Sequence, residues 1–266
     1  MRLPEGTAAW LEPHLPPPTE REVVPNGRPF VTLTFATSLD SALSLGPGLQ
    51  TKLSGPESKA MTHYLRRRHD AICVGIGTVV ADDPRLCCRL DGVGLGEQPR
   101  PIIIDPRGRW TAEEDCNLLR VVKDRRGLAP FVITALADPP ADVRARLEKE
   151  GGKFIVLENR GGQEGIIRFN WVDILSALHA EGLQSVMVEG GAVIINSLLS
   201  AGPDLVDSVI VTIAPTWLGQ GIVVVSPSRA SAPGGQPMAA ARLVDVSWHT
   251  FGEDAVLCGK MSDPPH

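Results

Sequence analysis

Ala71-Ile72-Cys73-Val74-Gly75-Ile76-Gly77-Thr78-Val79-Val80-Ala81-Asp82-Asp83-Pro84-Arg85-Leu86-Cys87-Cys88-Arg89 is the stretch on which the fold of this chain turns. Ala71 to Val74 is a short apolar run and reads as a buried strand. Gly75 and Gly77 then let the backbone come close to something. A hydroxyl, two carboxylates and two arginines follow at the strand's end, where α/β folds place ligands. Gly75-Ile76-Gly77 only partly matches a dinucleotide fingerprint. The third small residue would fall on Val80, and the nearest suitable acid, Asp105, lies 28 residues after Gly77 instead of about 20. A Rossmann-type domain is therefore rejected, although Thr78 and Asp82 can still hold a ribose or phosphate.

The flanking segments repeat the strand-then-helix pattern. Pro29 to Ala36 alternates apolar residues with threonine and runs into Thr37-Ser38-Leu39-Asp40-Ser41, a strand end with one carboxylate. Ser54-Gly55-Pro56-Glu57 predicts a helix start, with Ser54 as cap and Glu57 closing a capping box. Ala60, Met61, Tyr64 and Leu65 form the apolar stripe of that helix. Arg66, Arg67 and Arg68 either complement the helix dipole or meet a ligand. Strands are predicted at 101–105, 131–136, 154–157, 185–189 and 205–214. Helices are predicted after Asp138-Pro139, after Asn170 and from Ala192 to Leu199, and 110–129 carries no clear pattern. Two closing runs, 243–248 and 255–259, read as antiparallel strands. The pattern predicts an α/β fold: a mainly parallel central sheet flanked by helices, with an antiparallel C-terminal edge. One domain spans 29–262. Residues 1–28, proline-rich and aperiodic, form an extension mostly without regular structure, onto which Trp10 and Leu11 can dock.

Composition narrows the function. The chain has 266 residues, 43% hydrophobic and 5% aromatic, with net charge −5, so a large aliphatic core can form. No basic block points to nucleic acid or an anionic membrane surface. No signal peptide is legible, and no apolar run reaches the about 18 residues of a membrane span. Five cysteines without Cys-x-x-Cys spacing suit reduced thiols in a cytoplasmic protein. The histidines lack metal-site spacing; His63, His69 and His179 read as structural or exposed.

Each polar cluster has two readings. Gly190-Gly191, between a buried strand and a helix, is an anion site suited to pyrophosphate or a tight turn needing glycine for space. Asp82-Asp83 is an acid/base pair or, for Asp83 before Pro84, a turn. Arg85 and Arg89 fork a phosphate or pair with Asp82 or Asp83 on the surface. Arg107 and Arg109 suit a 2′-phosphate or are exposed loop charges. Glu189, closing a strand of Val, Met and Val, is desolvated and poised or neutralised by the Gly-Gly amides.

Taken in order, Thr37–Ser41, Ser54–Glu57, His69-Asp70-Ala71-Ile72 with Gly75–Leu86, Val188–Gly191, Ala214–Gly219 and Asp254–Lys260 resemble the riboflavin-pathway reductases over 29–260. The resemblance is to the free-standing fungal type, and the reductase half of the bacterial bifunctional deaminase-reductase is also similar. The resemblance implies a dihydrofolate-reductase-like fold, NADPH as cofactor and a homodimer. It also implies reduction of the ribosylamino side chain of 2,5-diamino-6-ribosylamino-4(3H)-pyrimidinone 5′-phosphate to the ribitylamino form, with hydride delivered to C1′. It assigns Thr78, Asp82, the run Glu189-Gly190-Gly191-Ala192-Val193 and the turn bearing Arg107 and Arg109 to the cofactor. Asp40, Arg66, Leu86 and Arg89 go to the substrate, and Asp40 and Glu189 are the catalytic candidates. The family usually carries a basic residue after Leu39-Asp40-Ser41, where this chain has Ala42. That departure opens a second reading, a nucleotide-binding regulatory protein without turnover. A third keeps the fold for a pterin or folate substrate.

Overall fold

In the computed structural model, residues 1–17, 27–159, 169–220, 223–227, 230–231 and 235–262 are described. Nine strands form one sheet: β1 Phe30–Thr37, β2 Ala71–Gly75, β3 Arg100–Ile104, β4 Phe131–Thr134, β5 Lys153–Val156, β6 Ser185–Val188, β7 Ser208–Ile213, β8 Arg242–Phe251 and β9 Asp254–Ser262. Their spatial order is β8-β9-β7-β1-β6-β2-β3-β4-β5. From β7 to β5 every pairing is parallel, while β9 runs antiparallel to both β7 and β8. The mainly parallel sheet with an antiparallel C-terminal edge is thus present.

Parallel strands covered on both faces read as continuous apolar runs, and alternate residues serve opposite cores. On β2, Ala71 and Cys73 pack with α6 (Trp171–Ala180) and α7 (Ala192–Leu199). Ile72 and Val74 face the other way, onto α3 (Ile76–Asp82), α4 (Asn117–Lys123) and α5 (Ala141–Lys149). Asn170 caps α6 as expected, its side chain accepting the Val172 N–H at 2.9 Å. Helix α3 follows β2 directly, with Gly75 as its N-cap. The helix α4 occupies the patternless 110–129 region.

One local expectation is corrected. The first helix of the domain, α2 (Pro56–Arg67), is capped by Gly55 and not by Ser54. Gly55 N–H donates to Asp254 Oδ2 at 2.8 Å, so a carboxylate from β9 overrides the local capping box. The N-terminal extension is partly regular: α1 (Thr7–Leu11) and the turn Glu12–His14 pack on α2. Leu11 and Leu15 are buried among Met61, Leu65, Met187 and Phe251. Glu12 accepts from both the Tyr64 hydroxyl and the Arg68 guanidinium. The proline-rich remainder, 18–26, lies outside the described residues, as do most of the 159–165 loop and parts of the 226–237 loop.

Candidate active site

Strands β6 and β2 are neighbours, with Val186 opposite Ala71 and Val188 opposite Cys73. Their carboxyl ends therefore release two chain segments side by side. Glu189 N–H still bonds Cys73 C=O at 3.0 Å, and α7 starts three residues later, at Ala192, beside α3. The crowding explains the glycines. A Cβ on Gly75 would sit 2.8 Å from Ile194. Gly190 has φ 105° and a Cβ there would stand 3.1 Å from Thr78 Oγ1. Gly191 N–H donates to that same oxygen at 2.9 Å. Both readings of the Gly-Gly pair thus meet in one turn. The glycines are needed for space, and the result is a helix start where the Ala192 and Val193 amides have no carbonyl of their own helix to bind, while Ile194 N–H already bonds Gly191 C=O at 3.0 Å. The Thr78 hydroxyl accepts from Gly191 and keeps its proton to donate.

This turn stands in a cleft of about 1400 Å³. Thr78, Asp82, Glu189, Gly190, Gly191, Ala192, Val193, Arg107 and Arg109 all line it. Loop 47–51 and Thr34 and Thr212 of the central strands line it as well. Asp82 is half-buried, and burial pushes its carboxyl above the ordinary value. Asp83 is separate. It closes α3 at φ 40°, and its Oδ1 accepts Asn117 N–H at 2.9 Å, which is the turn reading. Arg107 and Arg109 are exposed on a turn that Asp105 pins: the buried carboxylate accepts Trp110 N–H at 2.8 Å and its carbonyl accepts Gly108 N–H at 3.3 Å.

The substrate residues are placed differently. Arg66, Arg89, Asp40 and Leu86 do not line the cleft. Arg66 reaches it through Glu189, donating to Oε1 at 2.6 Å from a pair that is 13% and 17% exposed. Its other nitrogen donates to Cys87 C=O at 3.2 Å. Glu189 is therefore held by a guanidinium from α2 and not by the Gly-Gly amides. Leu86 is 2% exposed and packs with Ile72, Val74 and Val79, so its side chain belongs to the core. Asp40 accepts from Ser38 Oγ, from Gly219 N–H at 2.8 Å and from Leu218 N–H at 3.2 Å. Those bonds hold its carboxyl down at about 2. A carboxylate so occupied ties two loops together.

Arg89 is exposed, and among the described residues neither it nor Arg85 pairs with Asp82 or Asp83. The Arg89 guanidinium is partly shielded although the residue is exposed, and that shielding, then repulsion from Arg66 and Arg85, holds it below its usual range. Burial, then Lys52 and Arg89, does the same to Lys59. Mutual repulsion without a carboxylate is what an anion would relieve. Lys59 and His63, missed above, share this corner with Arg66. They lie four and three apart on α2, so the spacing of its polar face was the available signal.

Comparison with known proteins agrees with this architecture. Residues 29–257 match the RibD C-terminal domain model. The 2,5-diamino-6-ribosylamino-4(3H)-pyrimidinone 5′-phosphate reductase of Debaryomyces hansenii is 44% identical over 256 residues, 95% of each chain. The Saccharomyces cerevisiae enzyme of the same name is 36% identical, covering 98% of each. The solved structure of the Saccharomyces cerevisiae riboflavin biosynthesis reductase Rib7 superposes with a TM-score of 0.74 at 33% identity, covering 97% of this chain and all of that one.

Proposed function

The chain belongs to the RibD C-terminal domain family and is a riboflavin-pathway reductase, and from that premise we propose that it reduces the ribosylamino side chain of 2,5-diamino-6-ribosylamino-4(3H)-pyrimidinone 5′-phosphate to the ribitylamino form, with NADPH as the reductant. The observation that carries this reading is the position of Glu189-Gly190-Gly191. It joins a helix start with free amides on one side to a corner on the other where, among the described residues, Arg66 pairs with Glu189 while Lys59, Arg85 and Arg89 have no ion-pair partner.

The residues present fit a nicotinamide dinucleotide. The glycines leave room for close approach, and the Thr78 hydroxyl and the first-turn amides of α7 would donate to its pyrophosphate. Asp82 would accept from a ribose hydroxyl, and Arg107 and Arg109 would meet the 2′-phosphate. When bound, the cofactor supplies the hydride that becomes the new C–H bond at C1′. Arg89 and Lys59 would hold the substrate's 5′-phosphate, so that C1′ is presented in one geometry. The Glu189 carboxylate, oriented by Arg66, would face the cationic imine nitrogen. Ala42 is fully buried on a short ladder with Val224 and does not line the cleft.

The homodimer has support in β8, an edge strand that exposes Val244, Val246 and Trp248, which a second copy would cover. The five cysteines are unpaired, in keeping with a reducing cytoplasm, and among the described residues no helix is long and apolar enough to cross a membrane.

The test is NADPH oxidation followed by absorbance with freshly prepared pyrimidinone ribosylamino phosphate, with dihydrofolate run beside it. Consumption with the first compound alone is the expected result. Binding of NADPH without oxidation would overturn the reading.

A further inference from the structure

We propose that His63 is a positioning residue for this reaction: its imidazole Nδ1 accepts the backbone N–H of Arg89 at 3.1 Å and so fixes the segment that carries the Arg89 guanidinium to the substrate's phosphate. The proposal rests on the reading of the cation corner given above.

The segment Cys87–Arg89 belongs to no strand or helix, so no ladder holds its backbone. Side chains from elsewhere do. Arg66 donates to Cys87 C=O at 3.2 Å. Gln98 grips Cys88 from both sides, accepting its N–H at 2.8 Å and donating to its C=O at 3.1 Å. The Cys88 thiol donates to His63 C=O at 3.1 Å. The bond from Arg89 N–H to His63 is the last of the set and the one nearest the guanidinium. His63 itself is 3% exposed and rigid within α2, one turn after Lys59 and one before Arg66. Three phosphate-corner residues are thus referenced to a single helix. Two of them project from it directly, and Arg89 is tied to it through the imidazole.

The direction of the bond dictates the imidazole's state. A backbone N–H can only donate, so Nδ1 must be bare and the ring proton must sit on Nε2. Burial, with the Arg66 and Arg89 guanidiniums beside it, disfavours a second proton and lowers the imidazole to about 3. His63 therefore stays an acceptor across the working range of pH, and a charged, donating histidine would push Arg89 away.

The test compares three variants of the full chain by steady-state kinetics. His63→Leu fills the space without an acceptor. His63→Asn places Oδ1 near the position of Nδ1. His63→Gln carries the same amide but puts its oxygen where Nε2 was. His63→Leu and His63→Gln are expected to raise KM for the pyrimidine phosphate about tenfold, while kcat and the NADPH Kd stay within about threefold and His63→Asn restores KM. In an Arg89→Ala background, His63→Leu should add nothing further, because the group being positioned is gone. Unchanged KM in the Gln variant, equal loss in Asn and Gln, or additive loss with Arg89→Ala would overturn the proposal. If His63→Leu does not fold, the Asn and Gln contrast decides alone. Competition by inorganic phosphate against a phosphate-ester probe gives the same ranking without turnover. It keeps failure of this proposal distinct from failure of the reductase reading.

Discussion

The two walls of the site are built on opposite plans. At the glycine turn, polar groups satisfy each other at close quarters: Gly191 N–H on Thr78, Gly190 at φ 105°, β2 against α7 with no room for a Cβ at Gly75. Its shape is set by backbone. In the corner on α2, Lys59, Arg66, Arg85 and Arg89 stand near one another with one carboxylate, Glu189, among their partners. That shape is set by side chains from segments far apart in sequence, and its charges await an anion. A wall of the first kind suits a ligand recognised the same way in every turnover. A wall of the second kind holds a charged group by electrostatics, whose strength depends on how firmly the cations are placed.

Arg66 belongs to both walls, so its removal should have the largest effect. Arg66→Met keeps most of the packing but leaves Glu189 unpaired in a mostly buried position and frees Cys87 C=O. Breaking a buried pair from one side costs about 3–5 kcal/mol, and partial exposure here brings that down to about 2–3 kcal/mol. We expect kcat/KM to fall at least about a hundredfold, by loss of both substrate placement and Glu189 orientation. Adding Glu189→Gln should recover thermal stability without recovering activity. A single variant within about threefold of wild type would show that the walls are not joined through this pair.

Gly190→Ala separates the walls. A Cβ at φ 105° is strained, and it would press on Thr78 Oγ1 at 3.1 Å. The strain is worth about 1–3 kcal/mol, so NADPH affinity should fall about thirtyfold in a fluorescence titration. Binding of inorganic phosphate in the cation corner should not change. Parallel loss of both ligands would mean that the division into two walls is wrong.

The same contrast explains what could be read from sequence. The glycine wall was legible because its demands are local: a buried strand, two glycines and a helix are contiguous, and the steric need for glycine is written at the position that needs it. The sheet's parallel body and antiparallel edge were legible as well, from strands that alternate with helices and a tail made of strands alone. The cation corner was not. Arg89 is tied to His63, 26 residues away, and the spacing within α2 puts Lys59, His63 and Arg66 on one face without showing which segment that face meets. The apolar stripe of Met61 and Leu65 drew attention from Lys59 and His63 on the opposite side. Asp40 was visible as a strand-end carboxylate, but the amides that occupy it lie at 218 and 219. The Ser54 capping box failed because Asp254 arrives from β9. In each case a local rule was correct as chemistry and lost to a partner distant in sequence.

The smallest effect concerns pH, and it too divides the walls. His63 in the corner is lowered to about 3, and His69, bonded to Leu65 C=O at 2.7 Å and Thr32 Oγ1 at 2.8 Å, to about 4. Unfolded, both would titrate near about 6.5. As pH falls below that value the unfolded chain binds protons that the native chain refuses, so stability falls. The slope is up to about 1.4 kcal/mol per pH unit for each histidine, continuing until the native imidazole itself titrates. His14 is lowered as well and adds in the same direction. Asp40, depressed to about 2, keeps its contribution above the ordinary carboxylate range and loses it only as pH drops from about 4 towards 2. Asp82 on the glycine wall has the opposite sign: its raised carboxyl accepts a proton in the native state first, so acid relieves it. Urea unfolding at pH 6.5, 5.5 and 4.5 should therefore show steadily falling stability in wild type. In His63→Asn the slope should be shallower by about 1.4 kcal/mol per pH unit, one proton's worth. An unaltered slope would mean that His63 titrates at its ordinary value and that the corner does not hold it neutral.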